Sequence, residues 1–167
     1  MLTYKCEICG KEFQSKRIRK GPKNCNECAE ELRRKALGPR QIAKDAKKRL
    51  EKARYLYQKA LAEFESAKEK NDGTVLRDAC GKGWLSAIEA THALLVKRGV
   101  KEEELPRADK GRRFMVNKYA ERELRYIYYS LRDNLHIEGY YDGSLSFDEV
   151  EKQLDDLNLF IQKVEEL

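Results

Sequence analysis

Residues 124–141, LRYIYYSLRDNLHIEGYY, decide how this chain is read. Leu124, Ile127, Leu131 and Leu135 recur at spacings of three and four, the repeat of a helical face that must be buried. Arg132 and His136 are four apart, one turn above the other on a neighbouring face, with Arg125 and Tyr129 roughly in line above them. A cation, an imidazole that titrates near neutrality and a phenol on one stripe can bind and process a phosphodiester. The same pair can also simply line a helix end beside a turn.

Downstream, the two glycines of GYYDGS (139–144) predict a turn, and Ser146 with Glu149 forms a capping box with Leu145 and Val150 as its hydrophobic staple. A last helix follows through Val150, Leu154, Leu157, Ile161 and Val164. Upstream, the helix that ends at His136 is expected to begin near Arg112, with Val116 and Ala120 on its inner face. Before it lies a charged connection, Val100 to Lys110, with Pro106 and one short helical turn at EEEL.

Earlier still, Val75 to Arg98 reads as a helix with Leu76, Ala79, Gly83, Ala87, Ala90 and Leu94 inward, Thr74 placed to cap it and Gly99 to stop it. Its small residues permit close packing. Trp84 anchors the core, Cys80 reads as a buried small apolar group, and His92 as a packing histidine. From Gly38-Pro39 to Asn71, the positions Ile42, Ala46, Leu50, Ala53, Tyr57, Ala60, Phe64 and Ala67 alternate four and three beneath a lysine-rich outer face. Four amphipathic helices with mostly short connections predict a mainly α fold, an antiparallel up-and-down four-helix bundle over residues 38–167.

Residues 1–37 are a different object. Cys6 and Cys9 form one C-x2-C, Cys25 and Cys28 another, and 15 residues separate the pairs. Soft thiolates at this spacing suit a tetrahedral zinc ion, and a disulfide framework is the alternative. With Ile8 and Phe13 as its apolar content, such a module would take its folding energy largely from structural Zn2+. It resembles a zinc ribbon or treble-clef finger, with a knuckle at CEICG, a hairpin carrying Phe13, and a second knuckle at CNEC running into a helix. Between the knuckles Lys16, Arg17, Arg19, Lys20 and Lys23 form a basic loop suited to phosphates.

Charge supports a polyanionic partner. Residues 1–40 hold 11 bases and 5 acids, residues 41–132 hold 22 and 14, and residues 133–167 hold 2 and 10. An ion-paired helical surface explains the same numbers without a ligand. Met1 runs into LTYKC without an apolar leader, and no apolar run is long enough for a membrane span, so a cytoplasmic location is expected.

Residues 74–167 resemble the HEPN superfamily, archaeal and bacterial members grouped as repetitive-element proteins in particular. The likeness rests on CGKGWLSAIEATHALLVKRG, on SLRDNLHIEGYYDG and on the capped last helix. It implies a homodimer that brings two Arg/His pairs together, with Arg132 holding the scissile phosphate and His136 as acid or base of a metal-independent ribonuclease. Family motifs usually place four to six residues between Arg and His, and this chain has three. On an α-helix that rotates His136 by about 100°. Either the helix unwinds early and restores the pair, or catalysis has been lost.

Three expectations follow. The first is a zinc-containing protein that binds nucleic acid, RNA rather than DNA, as a homodimer with the finger as reader. The second is a ribonuclease of a defence or toxin–antitoxin system, with an antitoxin or other protein as partner. The third is a non-catalytic scaffold held to other proteins by Tyr126, Tyr128 and Tyr129.

Overall fold

A computed structural model describes residues 2–15, 25, 28 and 38–167. The chain divides into two compact units, Met1–Gln41 and Ile42–Leu167. Strands β1 (Leu2–Lys5) and β2 (Glu12–Ser15) of the first unit pair antiparallel, with Tyr4 opposite Phe13 and their rings stacked at 5.9 Å. The knuckle is the turn of this hairpin. The Cys6 N–H donates to the Lys11 carbonyl, and the Gly10 N–H to the Cys6 carbonyl, with Gly10 at φ 73°, where a side chain would be strained. Phe13 packs against the cysteines, whereas Ile8 is exposed.

The second unit is helical. Helix α1 (Pro39–Lys70) buries Leu50, Tyr57 and Phe64 alternating with Ala46, Ala53, Ala60 and Ala67, an alanine every seventh residue. Alanines at that period let another helix approach closely, and the Ser86 hydroxyl donates to the Ala53 carbonyl across the gap. Asn71, at φ 50°, ends α1, with the Asp72 N–H donating back to the Ala67 carbonyl.

Helix α2 (Gly73–Lys97) is capped by Asp72, whose carboxylate accepts from the Thr74 and Val75 N–H groups, so the cap lies two residues before the expected Thr74. Its last two turns are buried on every side, Ala90 through Val96, which makes it the central element. Gly99 at φ 87° stops it, and the Val100 N–H donates to the Leu95 carbonyl. A 3-10 turn at Glu102–Glu104 follows where EEEL predicted one.

The expected third helix, Arg112 to His136, is not continuous. It is α3 (Asp109–Tyr119), then Ala120 and Glu121 with extended backbone, then α4 (Arg122–Leu131). Ala120 and Glu121 are both good helix formers, so no local signal marks the break. Because Val116, Ala120 and Leu124 stay buried across it, the apolar spacing reads through as if the helix were unbroken.

Arg132–Asp142 then winds as a π-helix that runs through Gly139, Tyr140 and Tyr141, where a turn was expected, and ends at Gly143 with φ 64°. The Arg77 guanidinium donates to the freed carbonyls of Tyr140 and Tyr141. Helix α5 (Phe147–Glu166) starts with the expected capping box, the Glu149 N–H donating to Ser146 Oγ and the Ser146 N–H to the Glu149 carboxylate. Val150 is buried and Leu145 packs on the core. Thus the fold is mainly helical with a small two-stranded sheet at its N-terminus. Among the described residues no helix is long and apolar enough to cross a membrane.

Candidate functional site

The first candidate is the cysteine cluster. The Sγ atoms of Cys6, Cys9, Cys25 and Cys28 all lie within 4.8 Å of one another, Cys9 and Cys25 at 3.7 Å, and none forms a disulfide. Four thiolates at about 2.3 Å from one ion would stand about 3.8 Å apart, so the donor set fits a tetrahedral metal site. Hydrogen bonds led by the Cys9 N–H lower the Cys6 thiol to about 6, and the Cys9 thiol pushes Cys28 up. The basic residues Lys16, Arg17, Arg19, Lys20 and Lys23 lie outside the described residues, as does the helix expected after CNEC.

The second candidate is the end of the π-helical segment. It packs closely on α2: a Cβ on Gly139 would fall 2.7 Å from Cys80 Sγ, one on Gly81 2.8 Å from the Tyr140 ring, and one on Gly83 3.1 Å from Leu135. Glycines on both elements bring the backbones together, and Cys80 is buried between them, its thiol raised to about 11 by burial. In a π-helix each N–H reaches five residues back, so Arg132 and His136 are no longer related by α-helical rotation. The segment widens where early unwinding was one expectation.

Arg132 is not an open cation. Its Nε and Nη2 donate to the two carboxylate oxygens of Asp109 at 3.0 and 3.1 Å, and Nη1 to Asp133 at 2.7 Å. His136 stacks on Trp84 with centroids 5.1 Å apart and meets Tyr141 edge-on at 4.9 Å. Burial, opposed by Asp109 and aided by Arg132 and Arg112, lowers His136 below its usual range. The structure therefore holds Arg132 between Asp133 and Asp109, and the charges of Asp109 and Arg132 both reach His136; sequence spacing did not single out Asp109.

Arg112 was expected only as a helix start. The residue is instead 8% exposed, its Nη1 donates to the Arg107 carbonyl at 2.8 Å, and its guanidinium lies over the Trp84 ring at 6.0 Å. Together with His136, Trp84, Tyr140, Lys82 and Arg107 it lines a cavity of about 500 Å3. Nothing in the helical spacing could reveal this, because the pocket joins α2, α3 and the π-helical segment.

A third candidate is an open pocket of about 490 Å3 on α4, lined by Arg122, Arg125, Tyr126 and Tyr129. The Arg122 guanidinium lies over the exposed Tyr126 ring at 5.6 Å, and the Tyr129 hydroxyl donates to Asn117. Tyr128 does not join a surface stripe with these two. It is fully buried against Trp84, because it falls on the face that packs toward α2. His92 packs as expected, its Nε2 3.2 Å from the Pro106 carbonyl.

No protein-family model, curated protein or solved structure matches this chain.

Proposed function

We propose that this chain is a zinc-clipped protein of HEPN-like build that binds single-stranded nucleic acid, RNA in preference to DNA, as a homodimer in the cytoplasm. The observation that carries this reading is the Arg122, Arg125, Tyr126 and Tyr129 pocket, where two cations and two phenols share one open surface. Such a surface offers bases a ring to stack on and phosphates a counter-charge, in proportions that tolerate sequence. In this reading α3, α4 and the π-helical segment together stand for the third helix of an up-and-down four-helix bundle. The Cys6, Cys9, Cys25 and Cys28 site holds Zn2+, and the Lys16 to Lys23 loop adds phosphate contacts.

Fluorescence anisotropy with a labelled single-stranded RNA and a DNA of the same sequence tests it. Tyr126→Ala should weaken RNA binding by about 1–3 kcal/mol. Arg122→Ala should lower the salt slope by about one. Salt-independent binding, or binding unmoved by both changes, would sink the reading and leave the exposed Tyr126 as a contact for protein.

A metal-independent ribonuclease, with an antitoxin as partner, is the second reading. It is favoured by His136, whose burial favours the neutral imidazole close to the Arg132 charge. Arg132 would have to exchange Asp109 for substrate phosphate. Cleavage in EDTA that survives His136→Ala, in samples of known zinc content, would rule this role out.

A further inference from the structure

Helix α3 has a thin seat on the helical unit. Of its residues only Arg112 and Val116 are buried, Met115 and Tyr119 are partly covered, and Phe114 is 65% exposed. The neighbouring α4 buries Leu124, Tyr128 and Leu131 in ten residues. The polar part of the seat is also poorly matched. Arg112 lies over Trp84 with its Nε buried and lacking a hydrogen-bond partner, and the Tyr128 hydroxyl against the same tryptophan is in the same condition. Both groups lose free energy in the closed form that water would return on opening.

The ends of this segment are fixed more firmly than its middle. Before it, His92 Nε2 lies 3.2 Å from the Pro106 carbonyl, and after it Arg98 donates to Glu121 at 2.6 Å, so both ends are pinned to α2. Between pins and helix the backbone is extended, at Ala108 and again at Ala120. The Arg112 bond to the Arg107 carbonyl and the pair of Arg113 with Asp109 lie inside residues 107–119 and travel with them. Across to the neighbouring elements run the bidentate pair of Asp109 with Arg132 and an exposed bond from the Tyr129 hydroxyl to Asn117 at 3.3 Å. Pinned ends, extended connections and a weakly seated middle make a hinge with one strong latch, at Asp109.

We infer that residues 107–119 are a hinged strap that masks Arg132: they undock while the rest of the helical unit stays folded, and undocking frees the Arg132 guanidinium for an anion. In the closed form the Asp109 carboxylate occupies Nε and Nη2, the edge by which arginine grips a phosphate with two parallel bonds. Asp133, the adjacent residue, stays on Nη1, so Asp109 is the anion that leaves. A consequence for cleavage rests on the ribonuclease reading of Arg132; the strap itself does not, and it can be measured with no RNA present.

Hydrogen–deuterium exchange of the full chain, read by peptide mass spectrometry at pH 7, tests the strap. Amides of α3 should exchange about a hundredfold faster than those of Ala90–Val96, which are buried on every side. Ile161→Val, in the core of α5, should speed Ala90–Val96 about fivefold and leave α3 unchanged, because Ile161 stays packed when the strap opens. Val116→Ala touches neither Asp109 nor Arg132. It should speed α3 exchange about tenfold and raise the labelling rate of Arg132 by phenylglyoxal by the same factor. Exchange of α3 as slow as that of Ala90–Val96, or equal acceleration of both by Ile161→Val, would mean that α3 opens only when the whole unit unfolds and would overturn the strap. Faster α3 exchange in Val116→Ala with Arg132 labelling unchanged would overturn the masking of Arg132.

Discussion

Asp109 grips Arg132 with both carboxylate oxygens, at 3.0 and 3.1 Å, across 23 residues of sequence. This pair joins the first turn of α3 to the first turn of the π-helical segment, on either side of the break at Ala120 and Glu121. Burial pushes the Asp109 carboxyl up, but the Arg132 hydrogen bonds and charge, with Arg113, outweigh it and hold the group below the usual carboxylate range. The stabilisation is therefore complete above the unfolded-state value of about 4 and is lost as pH falls through the lower folded value. Asp109→Asn should cost about 1–2 kcal/mol at pH 7, discounted for partial exposure, and the difference from wild type should vanish in acid. Urea denaturation at pH 7 and pH 3 measures both. Equal loss at the two values would show that charge is not the cause.

Gly139 and Cys80 form a second test. Gly139→Ala places a methyl group 2.7 Å from Cys80 Sγ and 3.0 Å from the Asn134 carbonyl, so the π-helical segment must shift from α2. We expect a loss of about 2–3 kcal/mol, the range of overpacked cores. Cys80→Ala, itself costing about 1 kcal/mol, should recover part of that loss when combined with it. Thermal unfolding of the four proteins in the cycle reads the coupling, and strict additivity would mean that the two residues do not share the space.

Metal removal should separate the two units. A chelator is expected to release one equivalent of zinc and unfold Met1–Gln41, while the far-ultraviolet dichroism of the helical unit is kept, since its core contains none of the four thiols. Cobalt substitution should produce the absorption of a tetrahedral thiolate site, lost in Cys25→Ser. Loss of helical signal in parallel with zinc would show that the helical unit depends on the metal.

His136 supplies a pH signature. Burial lowers its folded value below the ordinary one, so its neutral form is favoured on folding, and stability present above about pH 6.5 declines as pH falls through the lower folded value. A proton NMR titration of the His136 ring should show a midpoint below that of a free histidine. In Trp84→Leu, which removes the stacked ring 5.1 Å away, the midpoint should move back up. No movement would place the cause with the surrounding charges.

Much of this architecture is written locally. The four-and-three spacing of α1, the Ser146/Glu149 box, the Gly99 stop and the paired C-x2-C knuckles all act over a few residues, where propensity and capping depend on near neighbours. So the sequence by itself determined where most helices lie and which four thiols meet. It could not reveal that Ala120 and Glu121 leave the helix, because the buried face is the same on both sides of the break. Nor could it show the π winding of a segment that Gly81, Gly83 and Gly139 let approach α2 closely across more than fifty residues. The tertiary structure alone decided that Arg132 has Asp109 for a partner, that Tyr128 turns inward, and that Arg112 is buried with no carboxylate beside it among the described residues. The physical reason is range: a helical face is set by residues three or four apart, whereas the partner of a buried charge is whatever the packed chain brings beside it.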